Sequence, residues 1–111
     1  MTKSFHVFIE HIIDSIEKIE EFIKNIGEDE FNKNTQLQDA VVRRIEIIGE
    51  AVKNLPEDFR ERHKNIPWKE IIGTRDKIIH HYFGVNLDIV WSIIKKDIPD
   101  LKKKLKKIES G

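Results

Sequence analysis

The residues best suited to chemistry lie in one segment, GTRDKIIHHYFG, which spans residues 73–84. Within it, Arg75 precedes His80 by five positions and Asp76 precedes it by four. A histidine with a pKa near neutrality can take a proton from a 2′-hydroxyl or give one to a leaving oxygen. An arginine fork can hold a phosphate and stabilise the charge that develops on it. On a helix, Asp76 can reach the His80 ring. These residue types suit metal-free cleavage of a phosphodiester such as RNA.

The spacing of Arg75 and His80 limits how a helix can use them. At about 100° per residue the two positions lie about 140° apart. Arg75 falls in the apolar stripe formed by Trp68, Ile72 and Ile79, where a guanidinium needs either a buried partner or an anion in a cleft. Cleavage would need the helix to end after His80, or two copies of the site to meet across a two-fold axis. Otherwise Arg75 is an ion-paired core residue and His80 a surface residue.

Other kinds of site find little support in the sequence. The chain has no cysteine, which excludes disulfides and thiolate metal sites. It has no HExxH motif, and His80 and His81 point about 100° apart on a helix. Neither phosphate-loop glycine spacing occurs, and no serine lies in a nucleophile motif. We therefore expect no metal and no cofactor.

Apolar residues recur at helical spacing along the chain and give no strand signal, which predicts an all-α fold. The clearest case is a seam that steps by four and three residues through the first helix, formed by Phe5, Ile9, Ile12, Ile16, Ile19, Ile23 and Ile26. Short connections between long helices predict an antiparallel up-and-down four-helix bundle. The four long helices are expected at about residues 4–26, 34–55, 67–84 and from Asn86 onward.

Breaker residues mark the connections. We expect Gly27 to end the first helix and residues 27–34 to form a loop. Residues 56–64 should form a short connector helix. Pro99 lacks an N–H and should break or kink the last helix near Asp97.

Two features predict close contacts between helices. The second helix has an apolar flank of Ala40, Ile47 and Ala51 beside its main stripe, so it should touch more than one neighbour. Gly73 lies inside the third helix, where glycine costs about 1 kcal/mol relative to alanine. A close helix contact would explain that glycine.

Length and charge bound the remaining possibilities. With 111 residues, the chain is expected to form a single domain over residues 1–111. No membrane span or signal peptide is recognisable, so a cytoplasmic location is expected. Residues 1–31 hold 3 basic and 8 acidic side chains, whereas residues 32–111 hold 17 and 12, so the chain is neutral. Binding to nucleic acid must then be local. Arg43 or Arg44, or the lysines of residues 95–107, could provide it, but solvated faces and ion pairs explain both groups as well.

The segment around Arg75 resembles the HEPN superfamily, and specifically its HepT-like branch. The superfamily motif is an arginine, a polar residue and then a histidine after four to six positions, which Arg75, Asp76 and His80 match. The HepT-like branch adds a tyrosine two residues later, matched by Tyr82. The flanking segments RRIEIIGEAVKNLP and DIVWSIIKKDIPDL are similar to this branch as well, so that the resemblance covers nearly the whole chain.

The resemblance implies a dimeric helical bundle whose paired motifs line a cleft at the dimer interface. Many such proteins are metal-independent ribonuclease toxins that cut RNA by attack of the 2′-hydroxyl. By this resemblance His80 is the acid and base, Arg75 binds the phosphate and Asp76 supports the histidine. HepT-like members are typically encoded beside a minimal nucleotidyltransferase antitoxin, and Tyr82 would be where that partner adds AMP.

Two further hypotheses stay open at this stage. The chain could be a non-catalytic subunit that presents a substrate or nucleotide to the nucleotidyltransferase. It could also be a helical dimerisation protein in which Arg75 is buried and ion-paired. An intact pair of Arg75 and His80 favours the ribonuclease, since a scaffold needs neither residue.

Overall fold

The structure, a computed structural model, describes residues 4–80 and 86–110, with the backbone alone at residue 4 and at 75–80. All of its regular secondary structure is helical, which confirms the all-α prediction. A π-helical turn, Ile93–Asp97, joins the last two helices into one run. The helices are α1 (Ser4–Phe22), α2 (Glu28–Lys33), α3 (Thr35–Lys53), α4 (Glu57–Arg62), α5 (Trp68–His80), α6 (Leu87–Ser92) and α7 (Ile98–Ser110).

The predicted seam of α1 forms the centre of the core. Its four inner isoleucines have no exposed surface, because steps of three and four residues keep them on one side of the helix. These are Ile9, Ile12, Ile16 and Ile19. The stripes of α3 and α7 close over them with Val41, Ile45, Ile48, Val52, Leu101 and Leu105. Burying each such side chain stabilises the fold by about 1.5–3 kcal/mol.

Aromatic contacts at the two ends of the molecule show the antiparallel arrangement. At one end the ring centroid of Phe5, at the start of α1, lies 4.7 Å from the ring centroid of Phe59. Phe59 belongs to α4, the helix that follows α3. At the other end Phe31 of α2 lies 5.3 Å from Trp91 of α6. The bundle therefore consists of α1, α3, α5 and the α6–α7 run. Helix α3 packs against both α1 and α5, which confirms that it contacts more than one neighbour.

The first connection differs from the prediction. Helix α1 ends at Phe22 rather than near Ile26, and Asn25 rather than Gly27 takes the left-handed conformation that turns the chain (φ 62°). Asparagine tolerates this conformation better than most residues. Gly27 instead has extended backbone and directly precedes α2.

Residues 27–34 are also not the loop that we expected. They contain α2, whose side chain Phe31 is fully buried against the core. Burial of that ring offsets the cost of ordering a six-residue helix, and three acids in the first turn suit the positive end of its dipole. Asn34 then caps α3 as predicted, because its Oδ1 accepts a hydrogen bond from the Leu37 N–H (3.0 Å).

The C-terminal run confirms the predicted kink and shows its form. The π turn lets the Ile98 N–H donate to the carbonyl of Ile93, five residues earlier. In a regular helix the ring of Pro99 would clash with the carbonyl of Lys95. The wider turn avoids that clash without breaking the helix. At the start of the run Asn86 caps α6, because its Oδ1 accepts hydrogen bonds from the N–H groups of Asp88 (3.0 Å) and Ile89 (3.3 Å).

None of the helices within residues 4–80 and 86–110 is both long enough and apolar enough to cross a membrane.

Candidate functional site

Helix α5, which carries Arg75, Asp76 and His80, is held firmly at its start. Its first residue, Trp68, is only 6% exposed. The indole N–H of Trp68 is shared between the carbonyl oxygens of Arg60 and His63, each 3.0 Å away. Because both carbonyls belong to α4 and the turn after it, the connector helix fixes where α5 begins. The Ile71 N–H also donates to the carbonyl of Pro67 (3.1 Å), which starts the helix at the residue after the proline.

From Trp68 the helix continues without interruption to His80. Arg75, Asp76 and His80 therefore share one helix, with Arg75 and His80 about 140° apart around it and about 7.5 Å apart along it. By register Arg75 lies on the side of the buried Trp68. His80 lies about 20° from Gly73, on the opposite side. Tyr82 and His81 fall outside the described residues.

The predicted close contact at Gly73 is wrong for the described part of a single chain. A Cβ atom built on Gly73 would meet nothing within 4 Å. The reason is the position of the glycine on the helix. Helices α3 and α5 meet through the apolar stripe, and Gly73 lies away from that stripe.

A small cavity of about 90 Å³ lies beside α5, between that helix, α3, the π turn and the start of α7. Its floor is apolar, and includes Ile45, Ile71 and Ile98, while Asp97 and Glu70 stand at its rim. Partial burial raises the pKa of the Asp97 carboxyl, and the neighbouring carboxylates of Asp100 and Glu70 raise it further. The cavity was not foreseen, because its lining comes from four separate elements, which are α3, α5, the π turn and α7. Its acidic rim would repel a phosphate, so it is not a site for RNA.

The lysines of α7 have an unforeseen role within the chain. Lys102 Nζ lies 2.7 Å from Glu20 Oε1 and 3.6 Å from Glu17 Oε2 of α1. Lys106 Nζ is also 3.6 Å from Glu17 Oε2. Lys104 Nζ pairs with Asp100 (2.9 Å) and donates to the Asn65 carbonyl (3.0 Å). The acidic first helix and the basic last helix thus neutralise each other.

A second surface groove lies between α1 and α3. Arg43 and Glu46 of α3 line it, together with Phe8 and His11 of α1. Sequence patterns could single out Arg43 but not its neighbour His11, since nothing in the pattern shows that these two helix faces meet. Whether Arg43 contacts RNA stays a prediction.

A family model described as "Ribonuclease HepT-like" matches residues 12–108, which include all of α5. The chain belongs to the HepT-like ribonuclease family. This membership confirms the resemblance that the segment around Arg75 indicated. The roles of Arg75, Asp76, His80 and Tyr82 within the family motif remain predictions for this HepT-like chain.

Curated relatives of this HepT-like chain agree with the family match. A Caldanaerobacter subterraneus protein named "Putative RNase" is 54% identical over 101 residues, which cover 91% of this chain and 90% of that protein. A Thermococcus cleftensis protein named "Probable ribonuclease HepT" is 46% identical over 108 residues, covering 97% and 98%. A Methanocaldococcus jannaschii protein named "Gamma-glutamylcyclotransferase and putative RNase" is 54% identical over 108 residues, but this chain spans only 49% of its length. No solved structure matches the chain significantly.

Among the side chains that the structure describes, no three histidine, aspartate or glutamate groups lie close enough together to hold a metal ion. Arg75, Asp76 and His80 lie outside that set of side chains, so the finding concerns the rest of the HepT-like bundle.

Proposed function

We propose that this protein is a metal-independent endoribonuclease that uses Arg75 and His80. The observation that carries the proposal is that the HepT-like family match includes α5, and that one uninterrupted helix holds the Arg-x4-His spacing. Arg75 and His80 supply between them an anion-binding fork and a group able to move protons near neutral pH. Asp76 is one turn before His80 and orients its ring.

The reaction begins with attack of a ribose 2′-oxygen on the adjacent phosphorus. A new bond forms between the 2′-oxygen and phosphorus while the bond from phosphorus to the 5′-oxygen breaks. The 2′-hydroxyl proton passes to a neutral histidine, and a protonated histidine gives a proton to the departing 5′-oxygen. Arg75 stabilises the negative charge on the phosphoryl oxygens as the geometry changes. The products are a 2′,3′-cyclic phosphate and a 5′-hydroxyl.

A dimer accounts for the spacing on the helix. One straight helix directs Arg75 and His80 about 140° apart, so a single copy would not aim both at one phosphate. Across a two-fold axis, Arg75 of one copy can act with His80 of the other. The two protons that move in each cleavage would then have two histidines to serve them. We therefore propose that the site forms where two copies of α5 meet.

We further propose that the nuclease is the toxin of a two-component system in the cytoplasm. A cognate minimal nucleotidyltransferase would silence it by modifying Tyr82, two residues beyond His80. The Tyr82 oxygen would bond to the α-phosphorus of ATP, pyrophosphate would leave, and the phenol proton would pass to a base. The added AMP would place a negative charge and a bulky group beside the phosphate position, which blocks RNA.

The test is RNA cleavage by purified protein in excess chelator, with wild type beside Arg75→Ala and His80→Ala. We expect wild type to cleave and to leave cyclic phosphate ends, and both variants to be inactive while their melting temperatures stay close to that of wild type. Cleavage by His80→Ala would remove His80 from the mechanism. Loss of wild-type cleavage in chelator would mean that the reaction needs a metal.

If the wild-type protein is inactive, the mass of the peptide that contains Tyr82 distinguishes between two explanations. An added AMP would mean a silenced nuclease, and removal of the AMP should restore cleavage. An unmodified tyrosine in an inactive protein would instead favour a non-catalytic subunit that partners the nucleotidyltransferase.

A further inference from the structure

The cavity beside α5 has walls that are mainly apolar. They come from α3, α5, the π turn and the start of α7. Five of the lining side chains are at most 7% exposed, namely Ile45, Ile48, Ile93, Ile98 and Leu101. A buried water is held by about two to four polar partners, and walls of this kind supply few of them. The inner part of the cavity therefore suits a carbon chain better than it suits water.

The polar groups at the opening of the cavity are mostly acidic. Glu70 of α5, Asp97 of the π turn and Asp100 of α7 line it, and all three are exposed. Asp100 is already paired, because its carboxylate lies 2.9 Å from Lys104 Nζ. Within the described part of the chain no salt bridge neutralises Glu70 or Asp97, although the charge of Lys96 acts favourably on Asp97. Asp97 also ends the π turn, and single π turns are frequent at functional sites.

These surroundings favour a positively charged ligand. Partial burial, then the carboxylates of Asp100 and Glu70, raise the pKa of Asp97, so a cation at the opening would relieve their repulsion. The Thr74 hydroxyl does not compete for the acids, because it donates to the Glu70 carbonyl of its own helix (2.8 Å). No three acids among the described side chains are grouped closely enough to hold a metal ion. An ammonium group, which needs no such tight cluster of oxygens, fits the opening better.

The volume of the cavity limits the length of the carbon chain. Benzene fills an engineered apolar cavity of about 150 Å³. By that measure, a cavity of about 90 Å³ suits a chain of about three or four carbons. The charged end of such a chain would remain at the opening, where the acids lie.

We propose that this cavity binds a short aliphatic ammonium ion, with its carbon chain among the isoleucines and its nitrogen at the carboxylates of Glu70 and Asp97. The occupant is a free small molecule, a primary amine or diamine in its protonated form. Glu70 belongs to α5 and Asp97 to the π turn, so the bound ion joins the helix that carries Arg75 to the C-terminal run. The inference goes beyond the proposed ribonuclease and does not depend on it.

The test uses n-butylammonium, with butan-1-ol and butyrate as its neutral and anionic counterparts. A titration followed by heteronuclear NMR measures binding and locates it through the amides of Ile71, Thr74 and Ile98, which line the cavity. We expect n-butylammonium to bind with a dissociation constant on the order of 1 mM, as its small size allows. Butan-1-ol should bind about tenfold more weakly, because it cannot form the charged contacts. Butyrate should not bind, and neither should ammonium chloride, which lacks the carbon chain.

Variants at the opening separate charge from shape. Asp97→Asn and Glu70→Gln should each weaken the binding of n-butylammonium about fivefold and leave that of butan-1-ol unchanged, since each removes a charge and keeps the size of the side chain. A fault in folding would instead weaken both ligands alike. Glu57→Gln, at an exposed position of α4, is the matched control and should bind as wild type does. Thr74→Leu should fill the opening and weaken both ligands.

Several outcomes would overturn the inference. Equal affinities for n-butylammonium and butan-1-ol would mean a cavity that is merely apolar. Amide shifts that ammonium chloride reproduces would mean only that salt screens the surface charges. Binding that both Asp97→Asn and Glu70→Gln leave unchanged would remove the two acids from the site. A lysine-rich peptide that binds where the free amine does not would assign the cavity to a partner protein. These measurements contain no RNA, so their failure leaves the proposed ribonuclease standing, and a failure to cleave RNA leaves this site standing.

Discussion

The Nζ atom of Lys102 lies 2.7 Å from Oε1 of Glu20, which ties the last helix of the bundle to the first. The two residues are 82 positions apart in sequence. The hydrogen bond to Glu20 raises the pKa of Lys102 above its ordinary value of 10.5, although partial burial acts in the opposite direction. The acidic residues near the start of the sequence and the basic residues near its end therefore form an ion pair that joins α1 to α7.

Replacing Lys102 should therefore destabilise the bundle. We expect Lys102→Met to lower the free energy of unfolding by about 1 kcal/mol at pH 7, measured by urea unfolding. A raised lysine pKa means that the folded chain holds the proton more tightly. The contribution is thus complete below pH 10.5 and is lost as the pH rises through the raised value. Lys103→Met, on the exposed side of α7, is the control, and a loss of equal size there would argue against the ion pair.

Asp97 should also make stability fall as the pH rises, but in the acid range, because its charged form rather than its neutral form is the unfavourable one. Partial burial, then Asp100 and Glu70, raise the pKa of Asp97 above its ordinary value of 3.8, while Lys96 lowers it. The folded chain then binds this proton more tightly than the unfolded chain, so stability falls as the pH rises from below 3.8 through the raised value.

Asp97→Asn should accordingly raise the melting temperature at pH 7 by about 1–4 °C and leave it nearly unchanged at about pH 3. Asp39→Asn, at an exposed position of α3, is the matched control and should leave the melting temperature nearly unchanged at both pH values. An Asp97→Asn effect that is the same at both pH values would show that charge is not the cause.

The hydrogen bonds of the Trp68 indole N–H should contribute measurably to stability, beyond the burial of its aromatic surface. Trp68→Phe keeps most of the buried aromatic surface but leaves the carbonyls of Arg60 and His63 without this donor. We expect a loss of about 1–2 kcal/mol in the free energy of unfolding, from chemical denaturation. Trp91→Phe makes the comparison, since Trp91 is half-buried and only its ring contacts, with Phe31 and Lys95, are described. Equal losses in both variants would assign the effect to packing.

Tyr82 should be needed for silencing but not for cleavage. On the proposed function, Tyr82→Phe retains the Arg75 and His80 chemistry and removes the oxygen that accepts AMP. Co-expression with the cognate nucleotidyltransferase should suppress the wild-type nuclease and fail to suppress the variant, with intact-mass measurement reporting AMP only on wild type. Suppression of the variant with no added mass would point to inhibition by binding alone.

The sequence predicts most of this fold because local chemistry determines most of it. The four-and-three spacing of the α1 isoleucines, the caps at Asn34 and Asn86 and the effect of Pro99 all act within one turn of a helix. Helix α2 could not be predicted in this way, because its only buried side chain, Phe31, is covered by other elements of the bundle. The end of α1 was misplaced because Asn25, not the nearby glycine, turns the chain.

Some features of the candidate site also follow from local sequence, and others depend on which helices pack together. That Arg75 and His80 share a helix follows from spacing, and the structure confirms that the helix extends from Trp68 to His80. The ion pairs between α1 and α7, the cavity near Asp97 and the groove at His11 depend on which helices become neighbours. That information is not present in any single segment, so these features could not be foreseen.

The link between the first and last helices also governs how the chain can form during synthesis. Leu101 and Leu105 complete the core beneath α1, and Lys102 brings the counter-charge for its acids. A ribosome adds about 5–20 residues each second, so α1 waits roughly 4–16 s for a partner made 82 positions later. Until α7 is made, α1 lacks the apolar residues that cover it in the folded bundle and the lysine that pairs with its acids.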